Sequence, residues 1–309
     1  SPSKRFIVDS YSRIDQPAKN VLRDANGTQI MELETMDVSR LEEIGWAPPE
    51  RFVVKAAGGV TDIYGNMWKP FDFDPNKKYP IIAHVYPGPQ TEQVTFPFSP
   101  TSTQQQLAQL GFIVIQIGNR GGSPQRSNAY HSFGYYNLRD YGLADKKADT
   151  EQVAAREMFI DINKVGIYGH SGGGFMTAAG LLLPPYNDFF KVGVSSAGNH
   201  DNNVYNQNWS EQHHGLREER VLKNAIVADN TNGRGQNRAN DNGQRGNGQG
   251  QQAQTRQWSD VQTKAATDSA DASAYTTKFA IDVPDNAELA ENLKGKLLLV
   301  HGDMDNNVH

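Results

Sequence analysis

The sequence predicts an α/β protein in which helices flank a doubly wound, mostly parallel β-sheet. The first observation is a series of apolar runs of strand length, all but the first ending in Gly or Asp, as is typical of strands buried on both faces. The second is the helical pattern of residues 143–159, where Leu143, Val153, Ala154 and Met158 can share one apolar face. Alternation of such strands and helices indicates a layered α/β fold.

The strands follow one another along the chain from Tyr79 onward. The runs are YPIIAHVY (79–86), GFIVIQIGNRG (111–121), KVGIYGHSG (164–172), KVGVSSAG (191–198) and KGKLLLVHGD (294–303). Before them, residues 4–56 contain the extended stretches KRFIVDSYS and RFVVKAA, the turn signal DANG and a short helical pattern, VSRLEEIG. This part is predicted to form β-hairpins and a connector.

One segment departs from this pattern. Residues 229–257 are mostly Asn, Gly and Gln, with no large apolar side chain to bury, so they cannot offset the entropy cost of ordering. We expect a solvated, disordered-type insertion. Its two Arg-Gly pairs leave RNA binding as a weak alternative, because the segment has few arginines and no aromatic residue.

Composition excludes several classes of function. A net charge of −5 argues against a nucleic-acid-binding surface, which needs a strong basic footprint. The longest apolar runs fall far short of the ~20 residues that span a bilayer. The absence of cysteine excludes disulfides and thiol chemistry and is compatible with either cytoplasm or periplasm. The chain begins with SPSK rather than Met, and we expect it to be part of a longer polypeptide.

Residues 169–173, Gly-His-Ser-Gly-Gly, match the G-x-S-x-G pattern. In that pattern a serine occupies a sharp turn between a strand and a helix, and small neighbours let the backbone pass closely. Here KVGIY is predicted as the strand and FMTAAGLLL as the helix. We therefore predict that Ser171 is a nucleophile rather than part of an ordinary glycine-rich turn.

Acyl transfer also needs donors for the developing oxyanion. The backbone N–H of Gly172, at the start of the predicted helix, can supply one. Tyr86, in the turn after strand YPIIAHV, can supply a second through its phenol; the alternative is an ordinary aromatic residue at a strand end.

The acid and base should follow the serine in the order acid, then histidine. Asp303 and Asp305 both lie in the loop after KLLLV, and either carboxylate could orient an imidazole; the alternative is a polar loop of turn-forming Asp and Asn residues. None of the eight histidines lies where the base is expected; His309 is only four residues past Asp305.

The residues resemble the prolyl oligopeptidase family of serine peptidases, and within it the dipeptidyl peptidase IV group. The resemblance runs from about Lys4 to His309, apart from the insertion, and rests on YPIIAHVYPGP, the Ser171 turn, VYNQNWSE and HGDMDNNVH. It implies an α/β-hydrolase fold preceded by the end of a β-propeller. Residues 1–47 would then be the end of the propeller domain and a connector, and residues 48–309 the peptidase domain.

The resemblance also implies roles for individual residues. The aspartate of the HG-x-x-D-x-N-V-H loop favours Asp305 as the catalytic acid, and the family's oxyanion donors correspond to Tyr86 and Gly172. Substrate-binding roles fall on Tyr205, Trp209, Asn307 and Val308. The family's catalytic histidine lies some thirty residues beyond the HG loop, so this chain is expected to stop before it and to have little or no turnover by itself.

Position 172 departs from the group's pattern, which usually has a tyrosine after the nucleophile. The resemblance therefore carries no prediction of proline selectivity. The paired glutamates that bind a substrate's amino terminus belong to the propeller, outside this chain.

The resulting hypothesis is a serine peptidase that acts through an acyl-enzyme on Ser171, and a dipeptidyl-peptidase-type exopeptidase in the intact protein. An esterase on the same fold and a non-catalytic α/β-hydrolase binding module remain alternatives. No cofactor or metal is implied, and the expected partner is a peptide substrate rather than nucleic acid or membrane. Resemblance further suggests a periplasmic or secreted location and a homodimer.

Overall fold

The computed structural model describes residues 4–89, 91–202, 205–215, 217–222, 275–280 and 285–308. The strands are β1 (Phe6–Arg13), β2 (Gln16–Asp24), β3 (Gln29–Thr35), β4 (Glu50–Lys55), β5 (Asp62–Trp68), β6 (Tyr79–His84), β7 (Ile113–Ile117), β8 (Ile160–His170), β9 (Phe190–Ser196), β10 (Arg217–Leu222), β11 (Tyr275–Ala280) and β12 (Lys296–Val300). The α-helices are α1 (Ser39–Glu42), α2 (Thr103–Ala108), α3 (Asn128–His131), α4 (Tyr141–Arg156), α5 (Gly172–Leu182) and α6 (Gln207–His214). Short 3₁₀ helices cover Ser132–Gly134, Tyr186–Asp188 and Ala287–Asn292.

The N-terminal residues form a separate antiparallel sheet with the order β1-β2-β3. The predicted DANG turn joins β2 to β3. There the carboxylate of Asp24 accepts hydrogen bonds from the backbone N–H groups of Asn26 and Thr28, both at 2.9 Å, and Gly27 has a φ of +88°. These side chain and glycine features are the physical basis of the turn signal.

The central sheet has the order β12-β9-β8-β6-β7-β5-β4. Strands β12, β9, β8, β6 and β7 run parallel to one another, whereas β5 pairs antiparallel with β7, and β4 pairs antiparallel with β5. This mostly parallel sheet, with helices between its strands, confirms the predicted α/β class.

The main core lies between this sheet and the helices α4 and α5. Helix α5 is buried along almost its whole length, which explains why its sequence is apolar all round rather than amphipathic. A smaller apolar cluster joins Ile14, beside β1, to Trp68, Ala108 and Val114. The turn between β1 and β2 thus packs directly on elements of the central sheet.

Two details of the predicted core are wrong. Met158 lies beyond the end of α4 and is 76% exposed, because the helix ends at Arg156 and does not carry the residue onto the apolar face. Strands β9 and β12 are not buried on both faces, since Val192, Val194 and Leu298 are exposed among the described residues.

Other expectations stay open. The predicted insertion 229–257, with its RNA-binding alternative, lies outside the described residues. The boundary between residues 47 and 48 remains a prediction; by compactness the chain divides into Ser1–Gly215 with Ile281–His309, and Leu216–Ala280. In the latter unit, β10 pairs antiparallel with β11. No helix among the described residues is long and apolar enough to cross a bilayer.

Candidate active site

Ser171 occupies the single residue between β8 and α5. Its backbone has φ +56° and ψ −122°, a region that side-chain-bearing residues rarely adopt. Its N–H donates to the carbonyl of Ser196 at 2.8 Å, and its own carbonyl accepts from the N–H of Phe175 at 3.0 Å. The sharp turn predicted from G-x-S-x-G is therefore present, held between β9 and the first turn of α5.

Small residues beside Ser171 are needed because backbone segments approach closely. A Cβ at Gly173 would lie 2.2 Å from the carbonyl oxygen of Val85, and one at Gly169 would lie 2.5 Å from the backbone of Gly173. Neither contact is sterically possible. At Gly172, by contrast, a Cβ would have its nearest neighbour at 3.7 Å, an ordinary contact. Packing therefore does not require glycine at position 172, and its missing side chain leaves space beside the serine.

A small cavity of about 40 Å³ opens at this turn. Five of the residues predicted from the sequence line it together: Tyr86, Ser171, Gly172, Tyr205 and Trp209. The remaining lining residues are Pro87, Gly88, Leu138, Phe175 and Asn199. The structure thus brings the predicted nucleophile, both predicted oxyanion donors and two predicted substrate-binding residues to one place.

The two predicted oxyanion donors have the required chemistry. Gly172 is the first residue of α5, and the first N–H groups of a helix have no partner within it. Burial raises the pKa of the half-buried Tyr86 phenol, so it remains a neutral hydrogen-bond donor near neutral pH. Both groups line the same cavity as the serine.

Strands β8, β9 and β12 end level with one another. His170 and Val300 are both in register with Ser196, so Ser171 and the loop after β12 leave the sheet at the same edge. Two strand spacings, together about 10 Å, separate β8 from β12. This geometry puts Val300, where the HG loop begins, and Ser171 at the same edge of the sheet.

Within that loop, Asp305 differs from Asp303. One oxygen of Asp305 accepts hydrogen bonds from the N–H groups of Val308 (2.9 Å) and Asn307 (3.0 Å), and these bonds hold the pKa of its carboxyl below the usual value. Asp303 is exposed, and its carboxylate accepts no such bonds from the described residues. The other predicted substrate-binding residues lie here and do not line the cavity: Asn307 is exposed and Val308 is buried.

None of the described histidines is hydrogen-bonded to the Ser171 hydroxyl. This hydroxyl makes no hydrogen bond within the described part of the chain. The side chain of His170 pairs with Ser196 Oγ at 3.0 Å, that of His200 with Asn286 at 3.1 Å, and that of His84 with Gln104 at 2.6 Å. The expectation that these histidines are not the base agrees with this geometry; His309 lies outside the described residues.

An aromatic wall closes one side of the cavity. Asn206 caps α6 by accepting from the N–H of Trp209 at 3.2 Å, and the Trp209 ring meets Tyr205 edge to face at 5.7 Å and His213 at 5.0 Å. Edge-to-face packing of this kind restricts ring motion. The wall is therefore preorganised to contact a small apolar group.

Sequence reasoning missed three lining residues, Leu138, Phe175 and Asn199. Phe175 lies one helical turn after Ser171, a spacing that could have identified it. Asn199 follows the end of β9, and its buried amide bonds to Asn202 at 2.5 Å. Nothing in the local sequence marks Leu138.

The chain is similar to known serine peptidases. The prolyl oligopeptidase family model matches residues 98–233. Human dipeptidyl peptidase 8 is 34% identical over 154 residues, 49% of this chain and 17% of that protein. The probable dipeptidyl-aminopeptidase B of Aspergillus clavatus is 28% identical over 187 residues, covering 56% of this chain and 20% of the relative.

Solved structures show the same fold. Porphyromonas gingivalis dipeptidyl peptidase 4 superposes with a TM-score of 0.67 at 22% identity, over 99% of this chain and 35% of its own. A Bacteroides ovatus structure, provisionally described as a dipeptidyl aminopeptidase IV, gives 0.69 at 24%, over 98% and 35%. This chain spans about a third of these structures and a fifth or less of the curated relatives. The predicted resemblance to the prolyl oligopeptidase family is confirmed by the match over residues 98–233.

Proposed function

We propose that this chain forms the hydrolase part of a serine peptidase in which Ser171 is the nucleophile. The observation that carries the proposal is the cavity that unites Ser171, in its strained turn, with Tyr86 and Gly172. A strained strand-to-helix turn exposes the serine hydroxyl, and two converging donors suit an oxyanion.

In this mechanism the Ser171 oxygen attacks the substrate carbonyl carbon while a base accepts the hydroxyl proton. The negative oxygen of the tetrahedral intermediate accepts hydrogen bonds from the Gly172 N–H and the Tyr86 hydroxyl. The C–N bond then breaks, the base returns the proton to the leaving amine, and water hydrolyses the acyl-enzyme by the same steps.

Asp305 is the proposed acid. Its loop leaves β12 at the same edge of the sheet where Ser171 follows β8, which supports this role. Its carboxylate is also ionised: backbone N–H groups hold one oxygen, and the other oxygen is left for an imidazole. We place the base on a histidine outside residues 1–309. A polypeptide limited to these 309 residues should then show little turnover, since loss of one triad member removes several orders of magnitude.

Substrate contacts are assigned to the aromatic wall and the HG loop. Tyr205 and Trp209 would pack on the side chain before the scissile bond, and Asn307 would bind a substrate carbonyl near Val308. Dipeptidyl-peptidase activity of the intact protein is supported by the names of the relatives, which are dipeptidyl peptidases and dipeptidyl-aminopeptidases. A periplasmic or secreted location and a homodimer are further proposals, which cell fractionation and sedimentation would test.

The decisive experiment is mass spectrometry after treatment with a fluorophosphonate, which labels activated serines. We would compare the protein at its natural length, its Ser171→Ala variant and the 309-residue polypeptide. Labelling of Ser171 in the natural-length protein only is the expected result. Labelling of the short polypeptide as well would overturn the placement of the base.

The same samples separate the alternatives. Absence of label in every sample would contradict the nucleophile and favour a binding module. Turnover of p-nitrophenyl esters without turnover of dipeptide p-nitroanilides would favour an esterase over a peptidase.

A further inference from the structure

One carbonyl group beside Tyr86 joins its loop to the rest of the domain. The oxygen of Pro87, the next residue, accepts two hydrogen bonds: one from Nδ2 of Asn119 at 3.0 Å and one from the hydroxyl of Tyr141. Both bonds are buried. This carbonyl is therefore one anchor between the loop after β6 and the rest of the domain.

Holding this carbonyl in place also restricts Tyr86, because the residue that carries the carbonyl is a proline bonded directly to Tyr86. The pyrrolidine ring fixes φ of Pro87 near −65°, and the peptide that joins it to Tyr86 is planar. The orientation of the Pro87 carbonyl is thus coupled through its ψ to the peptide plane that begins at Tyr86. A side chain that holds the carbonyl also limits where the Tyr86 phenol can point.

Tyr141 is built into this position. It is the first residue of α4 and only 7% exposed, and a Cβ at either Gly121 or Gly134 would come within 2.4 Å of its ring. Burial raises the pKa of its phenol, which therefore stays protonated and able to donate. Its ring fits a slot lined by glycine, and its hydroxyl points to the Pro87 oxygen.

The other donor depends on the same helix. Asn119 belongs to the turn after β7, and Lys146 of α4 donates to the carbonyls of Ile117 and Gly118, the latter at 2.9 Å. Asp145, also of α4, accepts the backbone N–H and the guanidinium of Arg120. Helix α4 thus holds the Pro87 carbonyl both directly and through this turn.

We propose that Tyr141 is a positioning residue for Tyr86: it holds the Pro87 carbonyl so that the Tyr86 phenol reaches the oxyanion. The inference rests on the proposed function, in which Tyr86 is an oxyanion donor. It assigns no chemical step to Tyr141 itself, whose hydroxyl is committed to the backbone.

The test is a double-mutant cycle on the natural-length protein, with a dipeptide p-nitroanilide as substrate. Tyr86→Phe should lower kcat by about 10²–10³-fold, the usual loss for one oxyanion donor. Tyr141→Phe should lower kcat about tenfold with KM changed less than twofold, because a misplaced donor weakens only the transition state. In the double variant, kcat should lie within about twofold of Tyr86→Phe alone, since a displaced phenol no longer matters once its hydroxyl is absent.

Tyr79→Phe is the matched control. Tyr79 is also a buried tyrosine, at the opposite end of β6, where its hydroxyl accepts from the N–H of Asp74 at 2.9 Å. Loss of that bond should lower stability by an amount typical of one hydrogen bond and leave kcat unchanged within about twofold.

Three outcomes would overturn the inference. Unchanged kcat in Tyr141→Phe would do so, and so would effects that multiply fully in the double variant, because Tyr141 would then act independently of Tyr86. If Tyr86→Phe retains full activity, the oxyanion assignment fails first and the inference with it. Should Tyr141→Phe not fold, Asn119→Ser removes the other donor and must show the same non-additivity.

Discussion

The backbone of Ser171 makes a quantitative prediction about stability. At φ +56° and ψ −122° a residue with a Cβ costs about 1–3 kcal/mol, whereas glycine adopts this region freely. From a strain of about 2 kcal/mol one subtracts the ~0.5–1 kcal/mol that glycine loses in chain entropy. Ser171→Gly should therefore be about 1 kcal/mol more stable than Ser171→Ala.

Alanine is the proper reference because both variants lack the hydroxyl, but only alanine keeps the strained Cβ. Since the Ser171 hydroxyl makes no hydrogen bond among the described residues, Ser171→Ala should match the unmodified protein within about 0.5 kcal/mol. Urea unfolding at 25 °C, with equal m-values, measures all three free energies. A glycine variant no more stable than the alanine variant would refute the argument that this turn stores strain.

Three further predictions concern neighbouring features. Gly173→Ala should lower the free energy of unfolding by about 1–3 kcal/mol or more because of its clash with Val85, while Gly172→Ala should be neutral or slightly stabilising; equal losses in urea unfolding would contradict this. Burial lowers the pKa of His84 to about 4, below the ~6.5 of the unfolded chain. Between these two pH values the unfolded protein binds more protons than the folded protein, so the free energy of unfolding decreases as the pH is lowered. The His84 contribution is about 2 kcal/mol between pH 7 and pH 5, and His84→Gln should remove this part of the pH slope; an unchanged slope would count against it. Asp145→Ala should cost about 3–5 kcal/mol in unfolding free energy, because it leaves the Arg120 guanidinium without its partner; a loss below 1 kcal/mol would show that the pair contributes little.

Much of the fold was predictable because its signals are local. The DANG turn, the apolar runs of β6 and β7, and the serine turn each carry their own chemistry, and each stands where the sequence predicts it. The limits of α4 were less predictable. Its helical pattern continues through Met158, but the chain leaves the helix at Arg156 and turns into β8, which is a tertiary effect.

The candidate site residues that directly follow parallel strands were predictable from the sequence. Tyr86, Ser171 and Asp305 each come just after a parallel strand, so the topology alone places them at one edge. Leu138 and Tyr141 could not be found this way. Leu138 lies in a connection and Tyr141 at the start of α4, and their positions near Pro87 depend on residues distant in sequence. Gly121 and Gly134 form the slot for the Tyr141 ring only once the chain has folded.

The exposed side chains of β12 affect how any experiment on this polypeptide is performed. Among the described residues β12 is at the end of the central sheet, and Leu298, Leu299 and Val300 are each about half exposed. An unpaired, apolar strand edge can pair with the same edge of another molecule. The HG loop with Asp305 continues directly from this strand, so self-association through β12 would restrict access to the Asp305 carboxylate. Activity or labelling measured at high protein concentration would then report on a partly occluded site, and dilution series should accompany every comparison of variants.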